Sequence, residues 1–413
     1  DGFRLSNIAA TLDNMPAYGF EATGSMDYRG NGASDIALRA AGELSSVEWL
    51  LRRMDLDLGE FGRAQANLSL SGSLEQPVVD DFILRTSNHS GLDITLGGRL
   101  DTPLEQGRSD SDKNEIQIDA RGPGPQVLQP WLGDLPEAIG AWRASGMLLE
   151  RGERIALQNL VVELGEHGGL EVRAEGSVGD IAGVAERALE GIEDIDLTLT
   201  AFTPDSAELA SLLELDQLRY HRAEVSLKLA GDGGRLSGFD GRLQLQSSDL
   251  RVEIAPISLE LLPLAEEPLV AMAATVGVQL SDTGALSQYS DIEVPMLGPL
   301  EIRGELFKPG SESPLGLRDI EALVRGEDIE LRARGSIADL PELQDLALAT
   351  RLRGRDIREL LPVFLEEFQY DAGLGELEGS FVLTDNEGRL NLDALKLRAG
   401  YDGGPLEVDL KGG

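Results

Sequence analysis

The stretch LEVRAEGSV (170–178) alternates apolar and charged side chains, a period of two that suits a strand with one dry and one wet face. Leu170, Val172, Ala174 and Val178 share one side, and Glu171, Arg173 and Glu175 share the other. Aligned on Gly176, the pattern returns as YGFEATGSM (18–26), LDITLGGRL (92–100), GPLEIRGEL (298–306), IELRARGSI (329–337) and LEVDLKG (406–412). The shared glycines are then Gly24, Gly98, Gly176, Gly304, Gly335 and Gly412. The positions two and four before them are all apolar: Phe20 and Ala22, Ile94 and Leu96, Val172 and Ala174, Leu300 and Ile302, Leu331 and Ala333, Val408 and Leu410. Each glycine falls on that same face, where it marks a bend or the close approach of another group.

A second strand precedes most copies: RLSNIAATL, VVDDFILRT, IALQNLVVEL, GLRDIEALV and RLNLDALKLRA. Turn signals such as ERGER (150–154), GDGG (231–234) and DNEG (385–388) separate the strands, so the chain reads as antiparallel hairpins. Four segments with a polar start and a bulky pair predict short helices: LSSVEWLLRRMD (44–55), GPQVLQPWLGDLP (124–136), TPDSAELASLLELD (203–216) and GRDIRELLPVFLEE (354–367). Strands and helices recur in units of roughly 75–80 residues. The expected fold is mainly β: an elongated, curled, mostly antiparallel sheet forming a hydrophobic groove, with short helices at the repeat boundaries. The expected organisation is one continuous array over 1–413, with approximate units 1–62, 63–140, 141–218, 219–296, 297–372 and 373–413. The fourth is degenerate, with no helix assignable in 240–296, and the last is incomplete.

Such a sheet needs a cover for its apolar face. At roughly 1.5–3 kcal/mol a side chain, leaving the apolar positions in water would forfeit several times a domain's usual net stability of about 5–15 kcal/mol. The cover is a second sheet, the same sheet curled on itself, or an external apolar ligand such as lipid. Linker-like joints between separate sandwich domains are missing, apart from the polar stretch DTPLEQGRSDSDKNE (101–115), which reads as a loop within a repeat. Aromatics make up only 5% of the chain, and the aliphatic inner positions suit a smooth lining as well as a plain core.

Several function classes are disfavoured. A net charge of −37 repels phosphate backbones and anionic membrane surfaces, so no nucleic-acid partner is expected. Zero cysteines exclude disulfides and thiol catalysis. The most apolar run, PLVAMAATVGV (268–278), is too short to span a bilayer as a helix. The three histidines, His89, His167 and His221, lack metal-ligand spacing, and the acidic loop lacks the glycine and terminal Glu of an EF-hand. With no nucleophile elbow or phosphate-binding glycine loop, the reading is a non-enzyme without metal or cofactor. The chain starts at Asp1 without a signal-peptide pattern and reads as a segment of a longer protein.

Residues 335–412 resemble the C-terminal repeat unit of AsmA-like proteins. The resemblance rests on Gly335, Ser336 and Ile337 followed by Leu340, Pro341 and Leu343, on RGRDIRELLP (353–362), on the LEGSFVL strand and on the GRLNLDALKLRAG hairpin. LSGSLEQPVVDDFILRT (70–86) fits the same phrase, whereas 240–296 departs from it. The family is similar to the bridge-like lipid-transfer proteins. The resemblance implies a periplasmic β-groove, anchored to the inner membrane by a segment outside this chain, that carries phospholipid acyl chains between inner and outer membrane. Inner-membrane partner proteins would meet parts of the protein not present here. On that reading the groove is lined by Phe20, Ala22, Ile94, Leu96, Leu100, Leu170, Val172, Ala174, Val178, Leu300, Ile302, Ile329, Leu331, Ala333, Ile337, Leu406, Val408 and Leu410. The alternatives are a structural or adhesive array of closed β-domains, or an outer-membrane protein assembly factor.

Overall fold

A computed structural model describes residues 2–14, 18–29, 34–45, 62–73, 77–88, 90–101, 114–128, 140–151, 154–165, 169–183, 188–205, 222–265, 267–288, 294–340, 344–355, 374–386, 389–401 and 406–410. The chain is mainly β, and its strands form long, open, antiparallel sheet. It divides into two compact units, Asp1–Thr200 with Ala230–Gly234, and Ala201–Leu229 with Arg235–Gly413. The first contains β1 Gly2–Asn14, β2 Tyr18–Arg29, β3 Ser34–Leu44, β4 Arg63–Gly72, β5 Pro77–Ser87, β6 Asp93–Asp101, β7 Asn114–Gly122, β8 Trp142–Arg151, β9 Arg154–Gly165, β10 Glu171–Asp180 and most of β11 Glu193–Thr203. The second contains most of β12 Arg222–Asp232, then β13 Arg235–Gln246, β14 Leu250–Leu261, β15 Leu269–Leu280, β16 Leu300–Lys308, β17 Gly316–Arg325, β18 Ile329–Asp339, β19 Gln344–Gly354, β20 Leu374–Asn386, β21 Arg389–Tyr401 and β22 Leu406–Leu410.

Within each unit the strands pair antiparallel with their chain neighbours, from β1 to β10 and from β13 to β22. The turn signals lie where expected, with 150–154 between β8 and β9, 231–234 between β12 and β13, and 385–388 between β20 and β21. The four expected helices fall almost wholly outside the described residues, as do the three histidines and most of the 101–115 loop. Only a 3-10 turn, Pro125–Leu128, belongs to one of those helix segments. The degenerate stretch folds as three antiparallel strands, β13 to β15, each with a register break, followed by a 3-10 turn at Thr283–Gln288. That turn occupies the connection into β16, four strands after the connection into β12 and four before the connection into β20.

A break in strand register recurs at β1, β5, β9, β13, β17 and β21, every fourth strand, and β14, β15 and β20 carry further breaks. In β1, Ser6 and Asn7 both oppose Ser25; in β9, Gln158 and Asn159 oppose Ser177; in β17, Arg318 and Asp319 oppose Ser336. These are β-bulges, which bend the strand and tighten its twist. Asn7, Asn159, Asp240 and Asp319 take φ of 56, 52, 53 and 51°, left-handed backbone that short Asn and Asp side chains tolerate. Ala394 holds the same conformation in β21, and the pair Asp80–Asp81 forms the bulge of β5.

Candidate functional site

Because pairing runs strand to strand without interruption, side chains of one face line up in transverse rows. In the first unit one row passes through Ala22, Ala40, Leu68, Phe82, Gly98, Ile116, Leu148, Leu157 and Val178, from β2 to β10. In the second, a row passes through Leu250, Leu280, Leu300, Val324, Leu331, Leu352, Gly379, Leu397 and Val408. Beside it runs Val252, Val278, Ile302, Ala322, Ala333, Thr350 and Phe381. At about 4.8 Å per strand, the nine-strand rows extend for nearly 40 Å.

Every lining residue expected from the sequence whose strand position is described falls on this apolar face. Phe20 and Ala22 lie in β2, Ile94, Leu96 and Leu100 in β6, and Val172, Ala174 and Val178 in β10, with Leu170 just ahead of it. Leu300 and Ile302 lie in β16, and Ile329, Leu331, Ala333 and Ile337 in β18. Leu406, Val408 and Leu410 hold register positions opposite Ala399, Leu397 and Leu395; their side chains are outside the described part. The face brings the members of each unit into one surface, and it adds residues that the glycine alignment left out, among them Leu68, Ile116, Val252, Val278 and Leu352.

Burial across the face is uneven. Leu170, Val178, Leu300, Ile329 and Ala333 are buried, whereas Phe20, Ala22, Ile94, Leu96, Leu100, Val172, Ala174, Ile302, Leu331 and Ile337 are half-buried. In the second unit two clusters are the better covered. Ala285, Leu286 and Leu297, from the connection into β16, pack on Leu250, Leu280, Leu300 and Val324. Further along the strands Leu315, Leu317 and Leu340 pack with Ala274, Val276 and Leu306. Val252, Val278, Ile302 and Ala322, between these two clusters, stay half-buried. Among the described residues, Leu92 is the only fully buried side chain larger than a threonine. Closed cores enclose their large aliphatic side chains far more completely.

The cover at the β16 end is held by a compact hydrogen-bond set. Buried Thr283 donates from Oγ1 to the Pro295 carbonyl at 2.6 Å and accepts from the Leu297 amide at 2.8 Å. Asp282 accepts from the Gly284 and Gly298 amides at 2.8 and 3.0 Å. In the first unit, buried Trp142 donates its indole N–H to the Gly124 carbonyl at 3.1 Å.

The repeated glycines are explained by backbone crowding. A Cβ on Gly24, Gly98, Gly176 or Gly335 would sit 2.1, 2.0, 2.0 or 1.7 Å from a carbonyl oxygen of the next strand. The serine after Gly24, Gly176 and Gly335 stands opposite the bulge of the preceding strand, which accounts for the recurring Gly-Ser pair. Gly304 differs from the others it aligns with. It lies two strands out of phase, and its nearest neighbours would be Leu317 Cδ1 at 3.1 Å and the Arg318 carbonyl at 3.2 Å. In β14, which holds the phase position between β10 and β18, Ala255, cis-linked Pro256 and Ile257 occupy the place of the glycine.

The other face is polar and its charges are matched across strands. Arg121–Asp93, Arg143–Asp119, Arg173–Glu163, Arg318–Glu305 and Arg334–Glu321 pair at 2.9, 2.8, 2.5, 2.8 and 2.9 Å, all with exposed side chains. The Arg318 hydrogen bond holds the Glu305 carboxyl below the usual glutamate range, and Asp119 raises Arg143 in the reciprocal sense. Exposed pairs of this kind add little stability each. They keep this face in water and leave the apolar face as the one needing a cover. No metal-holding cluster of His, Cys, Asp and Glu occurs among the described residues, and no described helix is long and apolar enough to cross a membrane. No protein-family model matches the chain, nor does any curated protein or solved structure.

Proposed function

We propose that the apolar face carries lipid acyl chains, with their head groups left in water, and that the chain is one stretch of a lipid-conducting trough. The observation that carries this reading is the run of apolar rows, continuous across nine strands in each unit and half-buried over most of the first unit's row. A surface of Leu, Ile, Val and Ala suits a flexible chain of uniform cross-section.

The bulges give the trough its repeat and its bend. Four strands, the first of them bulged, make a unit of about 75–80 residues. A kink at a similar place in every fourth strand curls a sheet about an axis across the strands. The resemblance to AsmA-like proteins supplies the setting: the periplasm, an anchor in the inner membrane outside this chain, and phospholipid passing between the two membranes.

The test is native mass spectrometry of the chain purified gently from bacterial membranes. Several phospholipids per chain are expected, with fewer on Val172→Asp and Leu331→Asp variants whose circular dichroism is unchanged. A well-folded, lipid-free chain would instead favour an array of closed β-domains.

A further inference from the structure

We infer that the outer edge of β1 is a docking site for a single β-strand of another protein, added antiparallel and chosen by its apolar side. Among the described residues β1 pairs with β2 alone. Its counterparts stand inside the sheet: β5, β9, β17 and β21, each the first strand of a unit, also pair antiparallel with the strand before them. Counting from the bulge, Leu5 and Leu12 of β1 correspond to Leu157 and Leu164 of β9. Leu157 and Leu164 are half-buried, whereas Leu5 and Leu12 are 43 and 58% exposed. The side chains are the same; what β1 lacks is an outer neighbour. Nor is the edge guarded in the usual way, by lysine, proline or an inward charge. The one charged residue between Phe3 and Leu12 is Arg4, and Asp27 of β2 holds its guanidinium at 3.1 Å. The bulge does not guard it either, since the same bulge in β9 and β17 admits a neighbour.

The internal pairs state what this edge takes. In all four, the strand before the bulged one sets a leucine opposite the counterpart of Leu5, as Leu148 does with Leu157 and Leu306 with Leu317. Every second residue ahead of that leucine is apolar or glycine, giving WRASGML (142–148) in β8 and LEIRGEL (300–306) in β16. The donor is therefore an extended segment of about seven residues of this alternating kind, its backbone continuing the ladder and its leucine covering Leu5. A second copy has no such strand to give. β4, β8, β16 and β20 are each paired on both edges, and no described pair joins two first strands. The inference holds whatever the apolar face itself carries.

The probe is the peptide PLEIRGELFK, the sequence of residues 299–308, titrated into the whole chain and followed by hydrogen exchange. At about ten times its Kd it should slow the β1 amides about tenfold and leave β16 and β17 unchanged. Two further peptides carry methylated backbone nitrogens, one at Glu301, Arg303 and Glu305, the other at Ile302, Gly304 and Leu306. Successive residues of a strand point their N–H groups to opposite edges, so one of the two should lose binding about tenfold or more while the other keeps it. Leu5→Lys and Leu12→Lys change exposed side chains and should each weaken the unmodified peptide about tenfold. No protection of β1, or protection that survives in both methylated peptides, overturns the inference. Concentration-dependent protection of residues 3–12 in the chain alone, with a dimer by native mass spectrometry, would assign the edge to a second copy and overturn it equally.

Discussion

Replacing Gly335 with alanine tests whether the recurring glycine answers to backbone crowding. The new Cβ would lie 1.7 Å from the Ala347 carbonyl oxygen, about half the distance of an ordinary van der Waals contact, and no side-chain rotation relieves it. β18 and β19 must separate locally by more than an ångström. That disrupts the ladder around the Gly335–Leu348 pair. Losing about two backbone hydrogen bonds and leaving their groups half-buried costs roughly 2–4 kcal/mol. Gly277 is the control, since its Cβ would find only the Glu253 carbonyl, at 3.9 Å. There alanine removes chain entropy from the unfolded state and gains about 0.5–1 kcal/mol. Gly304→Ala falls between them, because Leu317 Cδ1 at 3.1 Å can rotate away while the Arg318 carbonyl at 3.2 Å yields only slightly. The assay is hydrogen exchange of the 329–354 amides, alongside urea midpoints for all three variants. Amides of β18 and β19 should exchange about 30- to 1,000-fold faster in Gly335→Ala, given tenfold per 1.4 kcal/mol. Equal protection in Gly335→Ala and Gly277→Ala would falsify the crowding argument, and equal losses in Gly335→Ala and Gly304→Ala would return Gly304 to the common class.

Thr283→Val keeps the shape of a buried side chain but removes one donor and one acceptor from the Pro295 and Leu297 backbone. It should cost about 1–3 kcal/mol and raise hydrogen exchange across 294–298, and unchanged protection there would remove the hydrogen bonds from the account of the cover. For the Glu305–Arg318 pair the folded carboxyl titrates below its unfolded value, so its contribution is present above the ordinary glutamate range and fades as pH falls through the depressed value. In Arg318→Gln the carbon-13 titration midpoint of Glu305 should move up into the ordinary range, and a midpoint that stays put would mean the hydrogen bond is not its cause.

The strands and the parity of their faces were legible because a period of two survives single-sequence reading wherever one face is dry. The bulges were written in the same quoted segments yet escaped, for a physical reason: a bulge advances the chain by an odd residue. Apolar positions then sit three apart, as Leu5 and Ile8, Val79 and Phe82, Leu157 and Leu160, or Leu317 and Ile320. Read strictly at period two, such a strand looks like one that has lost its pattern. The useful signal is an aliphatic residue, a polar one, then Asn or Asp, then another apolar residue, as in Leu317-Arg318-Asp319-Ile320. The misgrouping of Gly304 has the opposite origin. Its strand alternates well, but alternation does not reveal whether the next strand's carbonyl leans in. The 240–296 stretch looked degenerate because no helix could be placed in it; its connection into β16 holds only the 3-10 turn Thr283–Gln288, and Ala255, Pro256 and Ile257 stand where the glycine recurs, while its bulge at Asp240 kept phase.

That phase limits how a chain of this kind changes length. Each strand reverses the direction of the one before, so an added or deleted single strand would send every later turn to the opposite edge of the sheet. Adding two restores direction but shifts each later bulge of the four-strand series by half a cycle relative to those before it. Only multiples of four strands leave that series evenly spaced and in strands of one direction. Elongation by whole units is therefore the neutral move, and a single odd residue inserted into any strand, unless it forms a bulge of its own, turns the remainder of that strand inside out.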